Sequence, residues 1–179
     1  MKNYSLSLLV LFSLIFSAQA QDLKLKNALV IGQLDKQEDR YSLEINLTEM
    51  LSEAGVKAMP SLNVLKLGSD ASILASDSVQ KVLAAKGIDT YVLISIRGYD
   101  RKFKKSVRVD DLTTVLQAGN LFPLYRDEVT SVCFEFLFYR NGKFVKSDIL
   151  KCGNVSDRDS VIKRFRKKVS KRISKNWLN

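Results

Sequence analysis

The sequence predicts an α/β fold in which one mixed sheet of about five strands carries helices in two or three layers. Between residues 28 and 96, short apolar runs alternate with segments whose apolar residues recur at helical spacing. This alternation is typical of strands joined by crossover helices. The turn sequence Asn141-Gly142 separates two later strand-like stretches, and residues 157–177 are apolar along one side only. We therefore expect a C-terminal hairpin followed by an amphipathic terminal helix.

The first half of the chain is predicted to supply three strands and two helices. The apolar run 28–31 closes at Gly32 and is typical of a strand that is buried on both faces. Next come a helix ending at Gly55, a strand at 56–59, a helix from Ser76-Asp77 to Gly87, and a central strand at 90–96. Both helices thus end at a glycine, which tolerates the left-handed conformation of a C′ position. The apolar positions of the first helix are Leu43, Leu47, Met50, Leu51 and Ala54.

The second half is predicted to hold a short helix, the hairpin and the terminal helix. Asp110 is a candidate cap for a helix that reaches Gly119, and 121–125 is an apolar loop. The hairpin strands are 129–139 and 144–152, and the terminal helix begins at a near capping box, Ser156-x-x-Asp159. On the first hairpin strand the predicted core face is Val132, Phe134, Phe136 and Phe138, with Val145 and Ile149 as partners on the second. The apolar side of the terminal helix is Ile162, Phe165, Val169, Ile173 and Trp177.

Residues 1–20 are predicted to be a cleavable secretory signal peptide. Lys2 supplies a positive start, 6–16 is an apolar run, and Ala18-Gln19-Ala20 has the small-residue pattern of a cleavage site. The apolar run is shorter than the roughly 20 residues that span a bilayer, which argues against an uncleaved anchor. We expect a mature chain of residues 21–179 that is a single α/β domain without a transmembrane segment, located in the periplasm or secreted.

The two cysteines, Cys133 and Cys152, lie on the two strands of the predicted hairpin. If Asn141-Gly142 forms the loop, Cys133 faces Leu150, whereas a Gly142-Lys143 loop makes Cys133 face Cys152. Because the first register also opposes two acidic side chains, the second is favoured. An exported protein retains disulfides, so we expect a structural Cys133–Cys152 disulfide.

The positive charge of the chain is concentrated in the terminal helix. The formal net charge is +10, yet residues 21–160 hold 20 basic and 19 acidic side chains. Residues 161–179 contain no acid and carry the predicted anion-binding residues Lys163, Arg164, Arg166, Lys167, Lys168, Lys171, Arg172 and Lys175. One interpretation is a solvated helix face; the other is a footprint for an anionic partner. Export argues against nucleic acid as that partner and favours an anionic envelope lipid or polymer, or an acidic protein surface.

A second basic cluster follows the central strand. Its charged members are Arg101, Lys102, Lys104, Lys105 and Arg108. An exposed loop or a charged edge strand explains such a cluster without any ligand, since edge charges discourage aggregation. If the cluster lies beside the terminal helix, the two form one basic patch.

The sequence contains none of the common catalytic motifs. Histidine is absent, which excludes the usual Ser-His-Asp, Cys-His and His-zinc sites. The phosphate-binding and nucleophile-elbow glycine motifs are missing as well. The only acidic group that suggests catalysis or metal binding is Asp35, Glu38 and Asp39, after the first strand, where α/β sheets often bind ligands. Such a group is also typical of a solvated helix start. We predict no cofactor.

The order of these elements resembles that of a small α/β domain found in bacterial envelope proteins. The pattern includes a signal peptide, a helix ending in Glu53-Ala54-Gly55, a helix ending in Ala85-Lys86-Gly87, a strong strand from Tyr91, a hairpin and a terminal helix. It is similar to the amino-terminal domain of TolB and to the CsgG-like lipoproteins, although it lacks the lipid-anchoring cysteine of many of them. The resemblance implies a non-enzymatic envelope interaction or accessory role with an unknown partner protein. Binding of anionic envelope polymers or lipids, and an enzyme that uses the acidic group, are the alternatives.

Overall fold

The computed structural model describes residues 23–66, 69–105, 110–118 and 121–179. The predicted signal peptide, residues 1–20, lies outside the described residues, as do Gly119 and Arg108. Within the described ranges, no helix combines the length and apolar character needed to cross a membrane.

A five-stranded mixed sheet organises the described residues. Its strands are β1 (Asn27–Gln33), β2 (Lys57–Pro60), β3 (Thr90–Tyr99), β4 (Ser131–Arg140) and β5 (Lys143–Gly153). The spatial order is β2-β1-β3-β4-β5, with β1 parallel to β2 and β3, and with β4 antiparallel to both of its neighbours. The helices are α1 (Gln37–Glu53), α2 (Asp77–Ala85), α3 (Leu112–Leu116) and α4 (Arg158–Arg172). The predicted mixed sheet of about five strands is confirmed.

Helices cover both faces of the sheet, so the fold has three layers. Alternate residues of a strand point to opposite faces, and the two faces of β1 and β3 enter two separate apolar clusters. One cluster packs against α1 and α4, and the other packs against α2, α3 and the 3₁₀ turn at Ala71–Ala75. The predicted core face of β4 is confirmed: its four members, Val132, Phe134, Phe136 and Phe138, are fully buried on the α1/α4 side.

The hairpin between β4 and β5 has a register that the sequence did not predict. Asn141 and Gly142 form the turn with positive φ angles of 50° and 73°, and Arg140 pairs with Lys143. The register then shifts by one residue, because Tyr139 pairs with Phe144 whereas Phe138 pairs with Lys146. This irregularity leaves one extra residue, Val145, in β5, as a β-bulge does. Both registers considered from the sequence are therefore wrong beyond the bulge.

The shift also changes which residues of β5 meet the core face of β4. Val145 packs against the α1/α4 cluster as predicted. Ile149, however, pairs with Glu135 and so lies on the opposite face of the sheet. The prediction for Ile149 is wrong, since a shift of one residue exchanges the two faces of a strand.

Two helices begin at caps one residue from those predicted. Asp111 rather than Asp110 caps α3, with its carboxylate accepting from the amide of Thr114 at 2.9 Å. At α4 the capping box consists of Asp157 and Ser160: the Ser160 amide donates to Asp157 Oδ1 at 2.7 Å, and the Asp157 amide donates to Ser160 Oγ at 3.1 Å. Both segments offer adjacent residues of capping type, and the backbone conformation decides which is used.

The C-terminal end of α4 continues into a π-type turn at Ile173–Trp177, where the Leu178 amide donates to the Ile173 carbonyl at 3.2 Å. The turn places Trp177 in the core, with its ring centroid 4.9 Å from that of Phe136 and 5.1 Å from that of Phe138. The indole Nε1 donates to Asp148 Oδ2 at 3.1 Å. This anchor fixes the last turn of the basic helix against the sheet.

Candidate anion-binding site

The basic residues of α4 surround the apolar stripe that attaches the helix to the sheet. Val161, Phe165 and Val169 are buried against the core, followed by Ile173 and Trp177 beyond the helix. The stripe agrees with the prediction, except that Val161 is fully buried and Ile162 is only half-buried. The exposed cations are Lys163, Lys167, Lys168, Lys171 and Lys175, and the half-buried ones are Arg164, Arg166 and Arg172.

One of these predicted cations, Arg166, contacts helix α1. Arg166 Nη1 donates to Asn46 Oδ1 at 2.6 Å and forms an ion pair with Glu49 Oε2 at 3.0 Å. Both partners belong to α1, so Arg166 joins the two helices that cover this face of the sheet. These two contacts contribute to the packing between α1 and α4.

Two other cations bind the edge of the sheet. β5 lies at the edge of the sheet, and no further strand among the described residues pairs with the carbonyl groups on its outer side. Lys168 Nζ donates to the carbonyl of Lys151 at 2.5 Å, and Arg172 Nη2 donates to that of Ile149 at 3.5 Å. These contacts satisfy backbone acceptors and hold α4 alongside β5.

A groove of about 320 Å³ lies between α4 and β5. We call it the basic groove; its lining residues are Leu150, Lys151, Lys168, Lys171, Arg172, Lys175 and Asn176. Five of these side chains are cationic and none is acidic. Lys151 was not among the predicted anion-binding residues, because it is on a strand rather than in the basic helix. The short connection between β5 and α4 is the sequence signal that could have brought the two elements together.

Within the described part of the chain, several groove cations have no counter-charge. Lys151, Lys171 and Lys175 make no hydrogen bond or ion pair through their ammonium groups. Lys168, Lys171 and Lys175 follow one another at spacings of three and four along the helix, where like charges destabilise by a few tenths of a kcal/mol per pair. An anion in the groove would relieve this repulsion.

The second basic cluster meets the terminal helix at a buried carboxylate. Asp148 is 2% exposed, and its carboxylate lies 3.7 Å from Lys105 Nζ and 3.7 Å from Arg172 Nε. One member of the second cluster therefore lies beside the terminal helix, the condition for a joint patch. Residues 101–105 form an exposed loop rather than an edge strand.

The two cysteines are buried free thiols, and the predicted disulfide between them is absent. Cys133 pairs with Lys151, while Cys152 pairs with Val132, so the two thiols lie on opposite faces of the sheet. The bulge in the hairpin is the cause of this placement. Burial raises the pKa of the Cys152 thiol to about 12 and also raises the pKa of the Cys133 thiol. The disulfide prediction is wrong for this structure.

The acidic group after β1 does not converge on one point. Asp35 and Glu38 are exposed, whereas Asp39 is 4% exposed. Asp39 accepts from Arg158 Nε at 2.5 Å and from the Leu124 amide at 3.2 Å, and thereby ties α1 to the start of α4. No group of three potential ligands that could hold a metal ion occurs among the described residues. The contacts of Asp39 thus support a structural role for this residue.

Comparison with known proteins gives similarity to solved structures only. No protein family matches the chain, and no curated protein matches it significantly. It is similar to lipoprotein GNA1162 of Neisseria meningitidis, with 16% identity and a TM-score of 0.44 over 83% of this chain and 97% of that chain. It is also similar to PelC of Paraburkholderia phytofirmans, which was solved as a dodecamer. Two structures of PelC each match with 12% identity and a TM-score of 0.43, over 86% and 87% of this chain and 89% and 87% of theirs. These values are too low to assign a family or a function, and the resemblance to TolB and CsgG-like proteins stays a prediction.

Proposed function

We propose that residues 21–179 form a single exported, non-enzymatic interaction domain that binds an anionic lipid or polymer of the cell envelope. The observation that carries this proposal is the basic groove, a concavity whose lining residues include five cationic side chains and no acidic one. Of the two binding functions expected from the sequence, this geometry favours the anion binder over a partner protein of unspecified chemistry.

The electrostatics of the groove supports this function. Lys151, Lys171 and Lys175 carry charges that pair with no acid in the described part of the chain, and each lysine near an anionic surface contributes about 1 kcal/mol to binding. Lys168 and Arg172 add charge, although their donors also serve the backbone of β5. The groove therefore combines charges available to a ligand with charges that hold its walls in place.

The export part of the proposal depends on the signal peptide predicted at residues 1–20. In an exported protein the basic groove meets lipid head groups and envelope polymers rather than nucleic acid. The location thus determines which class of anion the protein meets, and the positive charge of the groove attracts that anion.

Binding to vesicles of phosphatidylglycerol and phosphatidylcholine tests the proposal. The triple variant Lys151→Gln, Lys171→Gln, Lys175→Gln is expected to bind about a hundredfold more weakly than the unchanged protein. None of these three ammonium groups makes a hydrogen bond or ion pair with a described residue, so the fold is expected to persist. A soluble polyanion such as heparin, tested in parallel, distinguishes a polymer ligand from a lipid surface.

A matched triple variant separates the groove from simple net charge. Lys86→Gln, Lys163→Gln, Lys167→Gln removes the same three charges from exposed positions outside the groove and is expected to weaken binding much less. Equal losses in the two triple variants would show that the helix is only a solvated basic face. No binding of the unchanged protein to either anionic probe at low salt would refute the proposed function.

A further inference from the structure

A second concavity, of about 610 Å³, lies on the sheet face opposite α4. We call it the Glu135 cavity; its walls include Gln33, Ser95, Arg97, Phe122, Glu135 and Leu137. Gln33 is the last residue of β1, and the cavity thus lies where parallel strands of α/β sheets present ligand sites. Its volume falls within the range of about 300–1,000 Å³ typical of small-molecule sites.

Polar residues form a row across three neighbouring strands at the floor of this cavity. Gln33 of β1 pairs with Ser95 of β3, and Ser95 pairs with Glu135 of β4. The rest of this face is largely apolar, with Leu29, Ile31 and Leu93 among its members. A row of polar side chains in the middle of such a face costs stability unless each side chain finds a partner.

Glu135 does not have the partners that its burial requires. The residue is 5% exposed, and its Oε1 accepts no hydrogen bond from any described residue. Its Oε2 lies 3.6 Å from Arg97 Nη1, beyond hydrogen-bonding distance. Leaving a buried charged acceptor without a hydrogen bond costs the folded state the desolvation of that group without compensation. A donor from a ligand would recover this energy.

The polar side chains beside Glu135 are also compatible with a ligand that donates hydrogen bonds. Gln33 donates through Nε2 to the carbonyl of Val115 at 2.6 Å. Its amide oxygen can therefore accept a hydrogen bond from a ligand. The Arg97 side chain is 46% exposed, and solvent can therefore satisfy its guanidinium group. The group that gains from a ligand is thus the buried carboxylate.

We propose that the Glu135 cavity binds the protonated amino group of a small organic cation whose apolar body lies against the walls. The ammonium donates to Glu135 Oε1 and to the amide oxygen of Gln33, while Leu137 and Phe122 contact the carbon chain. Arg97, which is loosely paired and half exposed, turns toward solvent when the ligand enters. This site is on the other face of the sheet from the basic groove and does not depend on its function.

An NMR titration of the mature protein with hexylammonium tests the inference, with hexanol as the uncharged analogue and hexanoate as the anionic one. Hexylammonium is expected to shift the amide signals of Ser95, Arg97 and Glu135 and to bind at least about tenfold more tightly than hexanol. Glu135→Gln is expected to abolish that preference without changing the affinity for hexanol. Arg97→Gln, which removes the competing cation, is expected to tighten hexylammonium binding.

A stability measurement and a matched variant distinguish loss of hexylammonium binding from misfolding. Glu135→Gln removes a buried charge that receives no hydrogen bond at Oε1 from any described residue and whose ion pair with the half-exposed Arg97 is long. The urea midpoint is therefore expected to stay unchanged or to rise. Glu53→Gln makes the same chemical change at an exposed position of α1 and serves as the matched control. The inference is overturned if hexylammonium causes no saturable shifts in the cavity, if Glu135→Gln binds it as tightly as the unchanged protein, or if hexanoate binds preferentially.

Discussion

Replacing Trp177 tests how the terminal helix is held on the sheet. The side chain is fully buried, packs against Phe136 and Phe138, and donates to Asp148. Trp177→Ala removes the ring and the hydrogen bond together, and core truncations of this size cost about 3–5 kcal/mol of unfolding free energy. Trp177→Phe keeps most of the buried ring and loses the donor.

The cost of Trp177→Phe follows from the surroundings of Asp148. Among the described residues, the indole makes the only hydrogen bond to Asp148 Oδ2, since Arg172 Nε is 3.7 Å from that oxygen. The carboxylate is 2% exposed, so solvent does not readily replace the lost donor. A hydrogen bond to a charged group contributes about 1.5–3 kcal/mol, and we expect Trp177→Phe to cost about that amount.

Urea unfolding followed by far-ultraviolet circular dichroism measures both variants. Fluorescence is unsuitable, because Trp177 is the only tryptophan in the chain. The denaturant midpoint is expected to fall while the m-value stays constant. A double-mutant cycle with Asp148→Ala, which removes the acceptor, isolates the interaction between the indole and the carboxylate from the packing of the ring. Additive effects in that cycle, or a cost of Trp177→Phe below about 0.5 kcal/mol, would refute this reasoning.

Two further predictions concern the thiols and the start of α4. Alkylation without reductant, followed by mass spectrometry, is expected to modify neither thiol in the folded protein and both Cys133 and Cys152 after unfolding. If neither thiol is modified after unfolding and the mass is lower by two hydrogens, the two cysteines form a disulfide. Hydrogen bonds from Ser160 and Ser156 lower the pKa of Asp157 below 3.8, so its contribution to stability is present above pH 3.8 and is lost as the pH falls through the lowered pKa. The stability difference between the protein and Asp157→Ala should therefore shrink in acid, whereas a difference that does not change with pH would contradict the assigned role.

The accuracy of the sequence predictions varied with the range of the interactions involved. The helix ends at Gly55 and Gly87 were predicted correctly, and both glycines have positive φ angles, of 83° and 73°. The Asn141-Gly142 turn was recognised as a turn sequence, yet the register beyond it was not predictable. A bulge is set by how the twisted strands pack on the layers above and below, and the turn residues contain no information about it.

The same limit applies to the candidate sites. The sequence identified the cations of α4 but not Lys151, whose place in the basic groove depends on how the helix packs beside β5. It gave no indication of the Glu135 cavity. That site exists because Gln33, Ser95 and Glu135 are neighbours across three strands, although they are far apart along the chain.

By itself, the sequence determined the α/β class, the order of the elements, the apolar face of β4 and the concentration of positive charge in the terminal helix. These properties arise from spacing within one element, or from one turn, and so are encoded locally. Only the tertiary structure decided the placement of the two cysteines, the members of the basic groove and the lack of a hydrogen bond to Glu135 Oε1 among the described residues. Each depends on strand register or on packing between distant segments, where a displacement of one residue turns a side chain to the other face of the sheet.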